Sequence, residues 1–220
     1  MDMWTFLAMN QLLNGVEALP EATRVKLAST YAALEGMLSF NEALLLYCLA
    51  KQVCAGCIVE VGSYRGLSSV FLGLGSIDGD RVPVYAVDPH REFVGVLGGR
   101  FGSDDRVAFY SAMHSARCGH TVALINLSSE QFCYRWKDSV SLLWIDGDHR
   151  YESVKRDFNC WNMHMETGGV IAFHDGIDER LGPYRLISEL FQSKCFKKIM
   201  VVENIVVLRK VAEYSTVDSK

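Results

Sequence analysis

Two short segments concentrate groups that can do chemistry. "WIDGDHRY" carries Asp146, Asp148 and His149, and "AFHDG" carries His174 and Asp175. Each follows an apolar run, which puts each at the carboxyl end of a strand. Ionisable groups gathered on one edge repel, or are costly to bury, unless they share a proton or a cation. Asp146, His174 and Asp175 together offer carboxylate oxygens and an imidazole nitrogen, a candidate divalent-metal set. Mg²⁺ prefers oxygens alone, whereas imidazole suits ions such as Mn²⁺, Fe²⁺, Zn²⁺ or Ni²⁺. The bland alternative is a His174–Asp175 hydrogen-bonded pair that only shapes the pocket. Asp148 and His149 are candidate general bases, and histidine titrates near neutrality. Asp148 could instead cap the helix that follows.

A second constellation lies earlier. "IVEVGSYRGLSS", residues 58–69, is an apolar run that ends on Glu60-Val61 and breaks into Gly62-Ser63-Tyr64-Arg65-Gly66. Glycines after a strand let a ligand approach the backbone. A Walker loop needs Lys-Ser/Thr after its last glycine, and Gly66 is followed by Leu67-Ser68. A dinucleotide fingerprint needs glycine where Tyr64 stands. Neither phosphate reading fits. Asp88 ends the next strand in "VYAVDPH", where a carboxylate can accept bonds from both ribose hydroxyls. A ribose without a pyrophosphate points to S-adenosylmethionine. The expected cofactor contacts are Glu60, Gly62, Ser63, Tyr64, Gly66, Ser68, Asp88, Ser128 and Asp146. Glu60 would orient the loop backbone or meet the methionine ammonium. Ser128 follows the third strand, on the adenine side, and could equally cap a short helix. His90 would border the cofactor or form a surface turn.

The elements that must position these groups alternate. The patterns predict strands at 58–61, 84–87, 121–125, 140–145 and 170–173. They predict helices at 67–74, 104–117 (capped by Ser103), 130–134, 151–165 and 184–194. Two last strands, 197–202 and 205–209, are joined by only two residues and so must be antiparallel. Near-continuous apolar strands between helices imply a parallel sheet covered on both faces. The expectation is an α/β, Rossmann-like three-layer sandwich with seven strands, mostly parallel, the last antiparallel at the sheet's end. An N-terminal helical extension occupies residues 1–38, with helices over 3–14 and about 20–36. The main domain spans 39–210, opening on a helix over 41–52 with Ser39 and Glu42 as a capping box. A polar, frayed tail covers 211–220. The glycine-rich stretch 91–102 reads as a mobile lid or a flexible connection.

Residues 58–69, 84–90, 140–151 and 168–175 together resemble a class I S-adenosylmethionine-dependent methyltransferase. The nearest likeness is to methyltransferase family 24, related to macrocin-type and catechol-type O-methyltransferases. The resemblance spans about residues 39–210 and implies a seven-stranded sheet with the last pair reversed. It implies methyl transfer, most simply to a small-molecule hydroxyl on a sugar, catechol or other natural product. An N-methyltransferase and a silent S-adenosylmethionine-binding module are the alternatives. Metal-dependent relatives resemble this arrangement, with Asp after strand four and an acidic pair or Asp-Asn after strand five. Here His174 stands first in that pair, which leaves the need for a metal, and its identity, open. The resemblance also gives Asp148 a claim as base comparable to that of His149.

Bulk properties narrow the classes. The 220 residues carry a formal net charge of −4 and no basic cluster, which argues against a nucleic-acid partner. No run approaches the ~20 apolar residues of a membrane span. Seven cysteines, odd in number and set in apolar segments, predict reduced thiols and a cytoplasmic protein. Cys54-Ala-Gly-Cys57 has redox spacing but lacks the strand-to-helix context such a site needs. The expected partner is a small-molecule acceptor, with a homodimer or higher homo-oligomer open.

Overall fold

The computed structural model describes residues 19–214. The helix expected over 3–14 lies outside them. Helix α1 (Glu21–Ala32) stops before Gly36, and α2 (Phe40–Lys51) follows. Ser39 caps α2 with the full reciprocal box: its hydroxyl accepts from the Glu42 N–H at 3.2 Å, and the Glu42 carboxylate accepts from the Ser39 N–H at 2.9 Å.

The main sheet then builds through β1 (Cys57–Val61), α3 (Leu67–Asp78) and β2 (Val84–Val87). A small hairpin, β3 (Phe93–Val94) and β4 (Arg100–Phe101), precedes α4 (Ser103–Ala116). Next come β5 (Val122–Ile125), the short α5 (Ser129–Phe132), β6 (Val140–Ile145), α6 (Tyr151–Asn162) and β7 (Val170–Phe173). The chain closes with α7 (Gly182–Ser193), β8 (Phe196–Val202) and β9 (Ile205–Lys210). The expected elements are all present between residues 20 and 210, with ends shifted by a few residues.

The seven main strands run in the order β5-β2-β1-β6-β7-β9-β8. β9 is antiparallel to both of its neighbours. The reversed strand is therefore the last in sequence, as expected, but it lies inside the sheet and β8 forms the edge. A two-residue connection fixes only that β8 and β9 pair. Which of them docks against β7 depends on side-chain burial, and β9 is the more completely buried of the two.

Period-2 alternation along β6 feeds both layers. Leu142 and Trp144 pack with α2, α3 and α4, whereas Leu143 and Ile145 pack with α6 and α7. The result is a three-layer α/β/α sandwich.

Three expectations need correction. Ser103 opens α4 without capping it; Asp105 accepts from the Gly102 N–H at 2.9 Å instead. The 91–102 stretch, expected without regular structure, contains a short hairpin, closed by Gly95 N–H to the Gly99 carbonyl at 2.9 Å. Residues 211–214 are docked: Val211 N–H donates to the Cys195 carbonyl at 2.7 Å, and the Tyr214 ring packs against Phe158 and Phe196.

Candidate active site

Strand register places the site. Val61 pairs with Val87 on one side and Ile145 on the other, and these pair in turn with Ile125 and Phe173. One residue further along each strand therefore forms a single row: Gly62, Asp88, Asn126, Asp146 and His174. The chain winds from β1 toward β2 and β5, but from β6 toward β7. The reversal falls between β1 and β6, and a crevice at such a point is where open α/β sheets bind ligands.

The first loop is held from within the protein. Gly62, Tyr64 and Gly66 all have positive φ (84°, 46° and 90°), so successive N–H groups turn inward as an anion-binding nest. The anion is Asp88. Its Oδ2 accepts from the Ser63 N–H (2.8 Å), the Tyr64 N–H (3.1 Å) and the Ser63 hydroxyl (3.3 Å). Its Oδ1 accepts from the His90 N–H at 2.8 Å. His90 Nε2 lies 2.9 Å from the Tyr64 carbonyl, and Asn126 donates to the Asp88 carbonyl at 2.9 Å. His90 is thus a buried loop clasp rather than a surface turn. A methyl on Gly62 would run into the Asp146 carbonyl oxygen. That glycine is required by the close approach of the β1 and β6 loops and by its positive φ.

Beneath this loop, Glu60 is fully buried on the α3 side of β1. Its Oε2 accepts from Ser69, and the Ser68 hydroxyl also faces it. Burial pushes its carboxyl up to about 8 against the opposing pull of those two hydroxyls. Oε1 has no hydrogen-bond partner. Ser128, which stands after β5, bonds Gln131 at the start of α5 through both its N–H (3.1 Å) and its hydroxyl (3.2 Å).

The second cluster joins the ends of β6 and β7. His174 Nδ1 lies 3.0 Å from Asp146 Oδ1, and His149 Nε2 lies 3.5 Å from the same oxygen. Asp175 Oδ2 stands 3.7 Å from His149 Nδ1 and 3.8 Å from His174 Nδ1. Burial alone would raise Asp146, but the two imidazoles hold it down at about 2. Burial would lower His174, but Asp146 and Glu42 push it up to about 11. Asp146, His149 and His174 each present one ligand atom within 4.8 Å of the others. The set that comes together is thus Asp146, His149 and His174, with Asp175 beside it. The expectation had Asp175 in place of His149. The positive φ of Asp175 (50°) belongs to the turn that leaves β7.

Asp148 faces elsewhere. Its Oδ2 accepts from Arg150 Nη1 at 2.8 Å and from the Ser153 hydroxyl at 2.9 Å, which makes it an anchor for the first turn of α6. Sequence reasoning missed Glu42. Its carboxylate, 2 % exposed, reaches His174 Nε2 at 3.7 Å and accepts from the Asn204 N–H at 3.1 Å. The only signal was its place in the capping box, which says nothing about a histidine 132 positions away.

Residues 59–176 match the model of methyltransferase family 24, described as a methyltransferase domain. The chain belongs to this family. The solved structures similar to this methyltransferase include an O-methyltransferase from Bacillus cereus in complex with SAH. The two are 17% identical, with 92% of this chain and 97% of that one covered and a TM-score of 0.62. Another is the O-methyltransferase TomG from Streptomyces achromogenes, in complex with SAM: 14% identical, covering 88% of this chain and 91% of that one, TM-score 0.60. Over 46 residues the methyltransferase is 41% identical to an uncharacterized protein, R132, of Acanthamoeba polyphaga mimivirus. That stretch is 21% of this chain and 21% of that protein, so the match spans about a fifth of the curated relative.

The family and the fold agree with the class I methyltransferase resemblance drawn from the motifs. All seven cysteines are free thiols. Among the described residues no helix is long and apolar enough to cross a membrane.

Proposed function

We propose that this protein transfers a methyl group from S-adenosylmethionine to a hydroxyl of a small molecule. The observation that carries the proposal is the row at the β1/β6 crevice. It sets the Asp88-bound loop beside the Asp146–His149–His174 cluster.

The residues fit the cofactor. Asp88 Oδ1 accepts one bond, so it retains capacity for ribose hydroxyls. Glu60 Oε1 and His90 Nδ1 are buried and unpartnered at the loop, as groups awaiting polar ligand atoms. Tyr64, set edge-on to Phe101 with ring centroids 5.3 Å apart, would wall the methionine side. Ser128, after β5, and Asp146, after β6, would complete the cofactor contacts. Bound there, S-adenosylmethionine supplies an electrophilic sulfonium methyl.

The protein's share is positioning and proton removal. Holding the acceptor oxygen in line with the methyl can remove several kcal/mol of the barrier. Without a metal, His149 is the proposed base: its ring nitrogens lie 3.5 Å from Asp146 and 3.7 Å from Asp175, carboxylates that would stabilise the imidazolium formed when it takes a hydroxyl proton. Asp148, occupied by Arg150 and Ser153, is the weaker claimant.

Alternatively, the same cluster would hold a divalent ion, which would lower the pKa of the acceptor hydroxyl, with His149 then a ligand and not the base. Its two imidazoles and one carboxylate favour Mn²⁺, Fe²⁺, Co²⁺, Ni²⁺ or Zn²⁺ over Mg²⁺. His149 Nε2, which faces Asp146, is buried without a hydrogen bond, which supports the fit; His174 would offer Nδ1, its Nε2 facing Glu42. A cytoplasmic location and a role in natural-product chemistry accord with the free thiols and the family.

Titration calorimetry with S-adenosylmethionine, followed by transfer of labelled methyl to a panel of hydroxyl and amine acceptors, tests this reading. The expected result is binding and label on a hydroxyl. Failure to bind S-adenosylmethionine overturns the proposal. Label on amines alone makes the protein an N-methyltransferase, and binding without turnover makes it a binding module.

A further inference from the structure

A second cavity, of about 300 Å³, lies at the opposite end of the sheet from the crevice. Leu49, Val53, Val140, Leu142 and Val170 give it apolar walls. Val140 and Val170 begin the two strands whose other ends lead into Asp146 and His174. The cavity is therefore a strand's length, about 15 Å, from the proposed catalytic cluster.

One cationic side chain enters this cavity. Arg209, on β9, faces the α2 side of the sheet and lines the same space. Its Nε is buried without a hydrogen bond, and its guanidinium makes no hydrogen bond or ion pair with any described residue. The neighbours in the ladder cannot neutralise it: Val170 stands opposite on β7 and Lys197 on β8. The Leu49 and Ala50 carbonyls at the end of α2 are taken by the Gln52 and Val53 N–H groups, at 3.2 Å each. Glu166 stands at the exposed rim without reaching it. Lys210, next in sequence and on the other face, is treated differently. Its buried Nζ donates to the Met165 carbonyl at 2.6 Å and to Glu213 at 3.0 Å. A guanidinium stays charged at any ordinary pH, and burying part of a charge without a counter-charge is costly.

We infer that this cavity binds a small monocarboxylate with a compact apolar body, at a site separate from the methyl-transfer crevice. The guanidinium fork matches a carboxylate through two parallel N–H···O bonds. The Gln52 side-chain amide lines the cavity as a further donor. The aliphatic walls would cover the body of the ligand. Glu166 at the rim would repel a dianion such as phosphate more strongly than a single carboxylate.

The test titrates benzoate, benzyl alcohol and inorganic phosphate into the full chain, with and without SAH, and into an Arg209→Met variant. Methionine keeps a long apolar stem and removes the charge. The expected result is that benzoate binds, that SAH does not displace it, and that the alcohol and phosphate bind about tenfold more weakly or worse. Arg209→Met should lose about tenfold or more in benzoate affinity. Without ligand it should melt no lower than the parent, because it gives up an unpaired charge. Any of four results would overturn the inference: no benzoate binding, equal benzoate affinity in the variant, alcohol or phosphate bound as tightly as benzoate, or displacement of benzoate by SAH. A variant that unfolds, or melts well below the parent, would also overturn it by making Arg209 a structural support. Failure to bind SAH would sink the methyl-transfer reading alone and leave the benzoate result readable.

Discussion

At the scale of single residues, one buried carboxyl group carries a pH expectation. Glu60 has its folded pKa raised to about 8 by burial, above the ordinary carboxylate value. The folded state therefore holds the proton more tightly than the unfolded chain. Its effect on stability is most favourable below about pH 4.5 and is lost as pH rises toward 8, by at most about 1.4 kcal/mol per pH unit. Thermal melts of Glu60→Gln between pH 5 and 9 should show a flatter profile than the parent. An unchanged slope would mean that Glu60 ionises normally. The base assignment separates in the same way. His149→Gln should lower turnover by about 10²- to 10⁴-fold with S-adenosylmethionine binding intact. Asp148→Asn should chiefly loosen the start of α6, costing about 1 kcal/mol in a denaturant melt. The reverse pattern in single-turnover assays would return the base to Asp148. The sequence showed that both residues stand after β6. It could not show that Arg150 and Ser153 claim one of them, because that depends on how the first turn of α6 winds.

At the scale of elements, the helices that cover the sheet explain why some signals were legible and others were not. The Ser39–Glu42 box is written in four consecutive residues, and it forms as read. The glycines of α3 are different. "LSSVFLGLGSID" reads as an ordinary apolar helix weakened by two glycines, with no hint of their use. In the fold, a methyl on Gly75 would run into the Tyr47 carbonyl, and one on Gly73 into Val122. The two glycines let α3 lie against α2 on one side and β5 on the other. Gly75→Ala should therefore destabilise the protein by about 1–3 kcal/mol even though alanine is the better helix former. Chemical denaturation checks this, and a variant as stable as the parent would mean that the α2–α3 contact is loose. Such close approaches join distant parts of the chain and leave no local pattern. The same holds for β8 and β9, whose pairing followed from their short link while their order against β7 did not.

At the scale of the whole molecule, the mostly parallel sheet and the residues on its rim were legible because apolar runs alternate with helices and the runs lead into chemically distinctive residues; the strand order was not. Nor was it legible how α2 completes the rim. Glu42 reaches His174 only because α2 packs across α3 and carries its first turn to the ends of β7 and β9. The cluster thus ties together α2, β6, β7 and the loop before α6, and a ligand held there would stabilise all of them at once. An ion that binds only the folded state adds about 2.7 kcal/mol at a hundred times its dissociation constant. Two imidazoles and one carboxylate should rank Zn²⁺ or Co²⁺ well above Mg²⁺. Melts of the metal-stripped protein should rise by several degrees with Co²⁺ and hardly at all with equimolar Mg²⁺. His174→Ala should erase the Co²⁺ shift. Cobalt also reports its own surroundings, so a visible absorption band of tetrahedral or five-coordinate type should appear with the shift and vanish in the variant. Equal shifts with both ions, or a Co²⁺ shift that survives in His174→Ala, would place the ion elsewhere and leave Asp146, His149 and His174 as a hydrogen-bonded, metal-free acid–base cluster.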